Sequence, residues 1–328
     1  MRTPLPLVGT LAAALVVATA CGSGAGGRDD ATAAPTSLAA DRTSGAPTGP
    51  APSSTAPAPP PTPTTAQLPG GGTQVFPGHR LVGFSGAPGS PALGRLTGDL
   101  TAATGQLRQQ AAGYGDQPPV LPVFELIATV VHDKPGPNGT YATTADDATV
   151  QSYLDATRAA GGILLLDIQP GTGAFLPAVQ AYEKWLVQPD VGVALDPEWA
   201  IQPGQVPGNV FGHTTGADID AVSAYLDGLV TADHLPQKVL VYHQLKVQIV
   251  TGEEAMVDRP GVAVVKSVDG IGAAADKIGT YQRVIATKPA FVHAGFKLFY
   301  DEDTRSAALM QPGEVLALQP QPEYVIYE

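Results

Sequence analysis

The chain has 328 residues, 44% of them hydrophobic and 15% charged, which is enough to bury one large core or two small ones. Thirty acidic and 18 basic side chains give a formal net charge of −12, and no Lys/Arg cluster interrupts that balance, so a nucleic-acid partner is not expected. The single cysteine, Cys21, excludes an intrachain disulfide and a cysteine-rich metal site. Six histidines without HxH or HExxH spacing argue against a zinc hydrolase, and neither a metal nor another cofactor is expected.

Residues 1–20 carry Arg2, an apolar LAAALVV run and the small residues Ala18, Thr19 and Ala20, the layout of an export signal. The apolar run is too short for a stable membrane span. Ala18 to Cys21 resembles the bacterial lipobox, which implies a lipid on Cys21 and anchorage to the outer face of the cell membrane. The alternative is an ordinary signal cleaved after Ala20, and the placement of the only cysteine at this point favours the lipid. Residues 21–78 are rich in Gly, Ala, Pro, Ser and Thr, so they read as a disordered tether that cannot offset its ordering entropy by burial.

Residues 79–328 alternate apolar runs with segments of helical period. The spacing predicts strands over Leu81–Phe84, Val120–Ile127, Ile163–Ile168, Val191–Leu195, Val239–His243, Val262–Val268, Phe291–Phe299 and Tyr324–Tyr327. Helical patterns fall between Phe175 and Leu186, Ile219 and Leu229, and Ile278 and Ile285, with a shorter one near Glu253–Val257. Strands apolar on both faces and separated by helices imply a parallel sheet, and eight units over this length match an α/β (β/α)8 TIM-like barrel lacking a last helix. An open doubly wound sheet is the alternative.

Chemistry in such barrels collects at the carboxyl ends of the strands. Those ends carry Ser85, then Asp167 and Gln169, then Asp196, Glu198 and Trp199, then His243 and Gln244, then Asp269, and finally Tyr300, Asp301, Glu302 and Asp303. In the Asp196-Pro197-Glu198 turn, proline ends the strand and two carboxyl groups fall close together, so one should hold its proton near neutral pH. Glycoside hydrolysis needs two such groups. Glu198 is the candidate proton donor with Asp196 raising its pKa, and Asp301 or Glu302 is the candidate second carboxylate, ahead of Asp167 and Asp269. Gln169, Trp199, His243, Gln244 and Tyr300, together with Asp167 and Asp269, are candidates to bind a polyhydroxylated ligand by hydrogen bonds and ring stacking. Each acid also has a plain structural reading: Asp167 and Asp269 as helix caps, Asp301 to Asp303 as a solvated charge run. Glu125, Lys266 and Lys297 lie inside apolar strands and should pair across the barrel interior.

The segments FELIATV, LLLDIQPG, VGVALDPEW, LPQKVLVYHQ and GFKLFYDED, within Leu81 to Glu328, resemble a family of uncharacterised actinobacterial secreted proteins and lipoproteins with a glycosidase-like barrel. VALDPE is also distantly similar to the DxDxE signature of chitinase-type hydrolases, although Ala194 stands where that signature has its earlier Asp. Similarity to the retaining barrel glycosidases implies a donor ending strand four, where Glu198 lies, and a nucleophile ending strand seven, near Asp301 and Glu302; Pro197 replaces the Asn that usually precedes the donor. The expectation is a membrane-anchored extracytoplasmic hydrolase of a cell-envelope or environmental glycan. The alternatives are a non-catalytic polysaccharide-binding or scaffolding lipoprotein and a barrel holding Mg²⁺ or Ca²⁺ between Glu125, Asp167 and Asp196.

Overall fold

Short runs of Val, Ile and Leu that are apolar at every position must bury both faces, and eight of them do so as one closed parallel sheet. The structure is a computed structural model, which describes residues 65–136 and 139–328. The segments expected to be an export signal, with Cys21, and a tether lie outside the described residues as far as residue 64. The barrel strands are β1 (Arg80–Gly86), β2 (Val120–Val131), β3 (Ile163–Ile168), β4 (Val191–Leu195), β5 (Lys238–Gln244), β6 (Val262–Val268), β7 (His293–Leu298) and β8 (Tyr324–Tyr327). Each pairs in parallel with the next, and β1 pairs with both β2 and β8, which closes the cylinder and excludes the open sheet.

Helices α1 (Leu100–Ala112), α2 (Asp147–Ala160), α3 (Phe175–Gln180), α4 (Glu183–Leu186), α5 (Gly216–Asp233), α6 (Ala274–Ile285) and α7 (Pro312–Leu316) link the strands. After β5 there is no α-helix, and two 3-10 turns, Val247–Ile249 and Glu253–Ala255, make the connection instead. The sequence marks where several helices start: Asp99 and Asp146 accept from the backbone N–H three residues on, and Thr215 and Asp218 form a reciprocal capping box in α5. Helix α1 does not stand out in the sequence. The buried stripe of α1 is Ala103, Thr104, Leu107 and Ala111, too small and polar to give a strong apolar period. Among the described residues no helix is long and apolar enough to cross a membrane.

The two-residue period of the strands divides the core. One set, including Val82, Phe124, Leu166 and Phe296, packs outward under the helices, and the alternate set, including Leu81, Leu121, Leu165, Val241 and Val265, fills the barrel. Leu68, Val75 and Phe76 join the inner set, and Val75 N donates to Gln237 Oε1 at 3.0 Å. The ordered domain therefore starts ahead of the boundary read at residue 79, because three apolar side chains in a stretch of small residues suffice to plug the barrel floor. Lys266 also departs from expectation. It lies between the inward Val265 and Ser267, so it points outward and pairs with the buried Glu253 at 2.8 Å rather than crossing the interior.

Candidate functional site

Above the apolar interior, each strand carries a polar side chain at an inward position toward or just past its carboxyl end. In barrel order these are Ser85, Glu125, Asp167, Asp196, His243, Ser267 with Asp269, Lys297 and Glu328, and all but Glu328 are buried. Most lie two residues beyond an inward apolar side chain or glycine, so the strand register alone brings them to one level. Gly295 leaves room for Tyr324, since a Cβ there would lie 3.0 Å from the Tyr324 ring and 2.9 Å from Val265. The Tyr324 hydroxyl in turn donates to Glu125.

His243 sits between two carboxylates, with Nδ1 2.9 Å from Asp269 Oδ2 and Nε2 3.3 Å from Glu125 Oε2. Ser267 Oγ donates to Asp269 Oδ1 at 2.9 Å, and Lys297 Nζ lies 2.7 Å from Glu328 and 3.7 Å from Asp269. Gln169 accepts from Val131 N at 3.1 Å and donates to Asp196 Oδ2 at 2.9 Å, which fastens the first acid of the Asp-Pro-Glu turn to the end of β2. Other acceptors are left over: both oxygens of Asp167, Glu125 Oε1, Asp196 Oδ1 and Glu198 Oε2 are buried without a hydrogen-bond partner.

Six carboxyl groups (Glu125, Asp167, Asp196, Glu198, Asp269 and Glu328) thus share this end of the barrel with two cationic side chains, His243 and Lys297. They cannot all ionise. Burial, reinforced by Asp196 and then Asp269, raises Glu198 well above the usual carboxylate range. Burial followed by Asp196 and Glu125 does the same to Asp167. Burial also raises Asp196 and Glu328. For Asp269 burial pushes the same way, but His243 and Lys297 together outweigh it and hold the carboxyl below its ordinary value. Glu125 is held low against burial by His243, Lys297 and Tyr324. The imidazole itself is raised despite burial by Asp269 and Glu125, so it is a cation donating from both nitrogens. The cluster is therefore sorted into carboxyls that keep a proton and carboxylates that do not, the division that acid–base chemistry requires.

Of the residues predicted from sequence, Asp167, Gln169, Asp196, Glu198, His243 and Asp269 come together. Trp199 is half-buried beside Glu198, whose backbone carbonyl accepts from Gly212 N at 2.6 Å. Asp301 and Glu302 do not join the cluster by any contact: Asp301 is exposed and Glu302 pairs with Arg305 at 3.0 Å. The chain leaves the barrel wall after Leu298, where Phe299 N donates to Asp303 and Asp303 pairs with the buried Lys277. Gln244 donates to the carbonyls of Lys246 and Val247 and folds the turn after β5. Tyr300 stands outside the barrel wall, with Arg95 4.0 Å over one side and Tyr327 stacked at 5.5 Å. The sequence marks Lys297 only as a buried charge and Glu125 as a buried charge or a ligand in the alternative metal site, and it does not single out Glu328 or Tyr324. The signal that finds them is parity with the inward apolar residues of the same strand.

Among the described residues, Asp167, Asp196 and His243 each present one ligand atom within 4.8 Å of the others, so this trio, rather than Glu125, Asp167 and Asp196, could hold a metal ion. No protein-family model matches this chain, and no curated protein matches it.

Proposed function

We propose that the protein is an exported, lipid-anchored glycoside hydrolase acting on a cell-envelope or environmental glycan. The observation that carries this reading is a half-buried Glu198 with an unpartnered buried oxygen, whose carboxyl burial and Asp196 push up, set near an Asp269 that His243, Ser267 and Lys297 surround and hold low. Glu198 donates to the leaving glycosidic oxygen, and its residual negative charge after transfer is disfavoured by Asp196 until a proton returns. Asp269 serves as the second carboxylate, in place of Asp301 or Glu302. It is ready at neutral pH because the imidazolium and the ammonium hold its charge. Trp199 offers an apolar face to a sugar ring at the same rim. The Cys21 anchor and the Pro-rich tether would hold the barrel off the membrane surface.

Glu198→Gln should lower cleavage about 10²–10⁴-fold while leaving the fold intact. Arabinan, galactan, peptidoglycan and storage glucans are the substrates to screen, and turnover by the variant at the wild-type rate would refute the assignment. A second reading is favoured by Asp167, whose unpartnered oxygens converge with Asp196 and His243: a divalent cation would balance the excess of carboxylates. In that case Asp269 orients His243 toward the ion through Nδ1. Activity lost on dialysis against a chelator and restored by Mn²⁺, Zn²⁺ or Mg²⁺ would select it over the metal-free mechanism.

A further inference from the structure

Outside the barrel wall, between α1 and the segment joining β7 to α7, lies a cavity of about 500 Å³. That volume is within the ~300–1,000 Å³ span of small-molecule sites. Its lining is mixed: Arg95, Gln106, Gln109, Gln110 and Gln311 surround Tyr300, and Phe84 and Pro312 add an apolar part. Gln106, Gln109 and Gln110 are spaced three and four apart, so α1 presents three amides on one face. Gln110 is committed within the protein, accepting from Tyr300 Oη at 3.3 Å and donating to Tyr327 Oη at 2.8 Å. Gln106 and Gln109 are exposed and make no hydrogen bond through their side chains, so their donors and acceptors are free for a ligand.

Arg95 is the unusual group. Among the described residues it is the one arginine whose guanidinium has no hydrogen-bond or ion-pair partner, in a chain of net charge −12. Arg95 is exposed, but its guanidinium rests on a packed aromatic group. The guanidinium lies 4.0 Å over the Tyr300 ring, Tyr300 is stacked on Tyr327, and Phe84 meets both rings edge-on at 6.3 Å. With both faces of Tyr300 covered, the ring cannot stack on a sugar. It serves as a platform that leaves the N–H fork of Arg95 open. The pocket also adjoins the rim, since Tyr300 N donates to Glu328 O at 2.8 Å.

We propose that this cavity is a second binding site, separate from the carboxyl cluster, for a carboxylate-bearing sugar residue of the glycan. Arg95 takes the carboxylate in a bidentate grip, and the free amides of Gln106 and Gln109 read hydroxyl groups, each able to donate and accept. A neutral sugar leaves Arg95 unanswered, and a bare carboxylate leaves the amides unanswered. The sugar class rests on the hydrolase reading, whereas the need for a carboxylate rests on Arg95 alone.

The test is binding of D-glucuronate to the intact protein, followed by ligand-observed NMR and calorimetry, with D-glucose and acetate as comparison ligands. Glucuronate should bind at least tenfold more tightly than either comparison ligand. Arg95→Gln should lose at least tenfold in affinity at unchanged Tm, Arg95→Lys should fall between, and Gln109→Ala should weaken binding several-fold. Glu198→Gln should bind glucuronate as the wild type does. Equal binding of glucose, equal competition by acetate, an unaffected Arg95→Gln variant, or loss of binding in Glu198→Gln would each overturn the proposal. Uronate binding without cleavage of any glycan would leave this site standing and remove the hydrolase alone.

Discussion

The carboxyl of Asp167 is fully buried, both of its oxygens lack a partner, and the charges nearest it in effect are Asp196 and Glu125. Those two neighbours each hold an orphaned oxygen as well. Asp167→Asn keeps the shape, removes one acid from the cluster and supplies two N–H donors where two neighbouring acceptors, Glu125 Oε1 and Asp196 Oδ1, stand idle. An unsatisfied buried polar group costs about 1–3 kcal/mol, so relieving this one should stabilise the fold by about 2 kcal/mol. For a domain of this size that corresponds to a rise of roughly 4–8 °C in Tm. The pH dependence has a definite sign. Asp167 is raised in the folded protein, so between its ordinary and its folded pKa the native state binds more protons than the unfolded one, and wild-type stability falls as pH rises through that window. Asparagine has no such loss. In chelator-containing buffer the Tm advantage of the variant should therefore be small near pH 4 and grow toward pH 8. A variant less stable than wild type at pH 8, or an advantage that does not change with pH, would refute the reasoning. A stability gain bought with loss of cleavage would be the signature of a strained functional site.

Lys266→Met should cost about 3–5 kcal/mol in urea unfolding, because Glu253 stays buried with only Tyr242 and Thr287 to satisfy it. Most of the loss should return in Lys266→Met/Glu253→Gln, and a single-variant loss below about 1 kcal/mol would contradict the pairing. Lys238 is a different case: burial pushes its amine down to about 7, and it donates to the carbonyls of Gln188 and Val191. Between that value and the ordinary lysine pKa the unfolded chain binds more protons, so wild-type stability should climb from pH 7 to pH 9 relative to Lys238→Met. Parallel stability–pH curves for the two proteins would show that Lys238 is protonated throughout.

Much of this molecule is legible in one dimension. Eight apolar runs of strand length, such as ILLLDI over β3 and VGVAL over β4, point to a parallel sheet sheathed by helices, and their number matches a barrel, while closure itself is decided by the pairing of β1 with β8. The Asp-Pro-Glu turn is legible for the same local reason, since proline both ends the strand and sets two acids side by side. Helix α1 is not, because its buried face is made of Ala, Thr and a single Leu, and packing against the barrel rather than intrinsic pattern holds it in place.

Tertiary structure decided the rest. In a strand apolar on both faces the sequence does not say which alternate set points inward, so Lys266 and Lys297 read alike, yet one pairs outside the barrel with Glu253 and the other sits at the centre of the carboxyl cluster. Sequence proximity to a strand end likewise could not separate Asp269, drawn inward by His243, from Asp301 and Glu302, which the turn after β7 carries away. Local composition fixes what a segment can be. The facing of its side chains depends on the register of the closed cylinder, a property of all eight strands together.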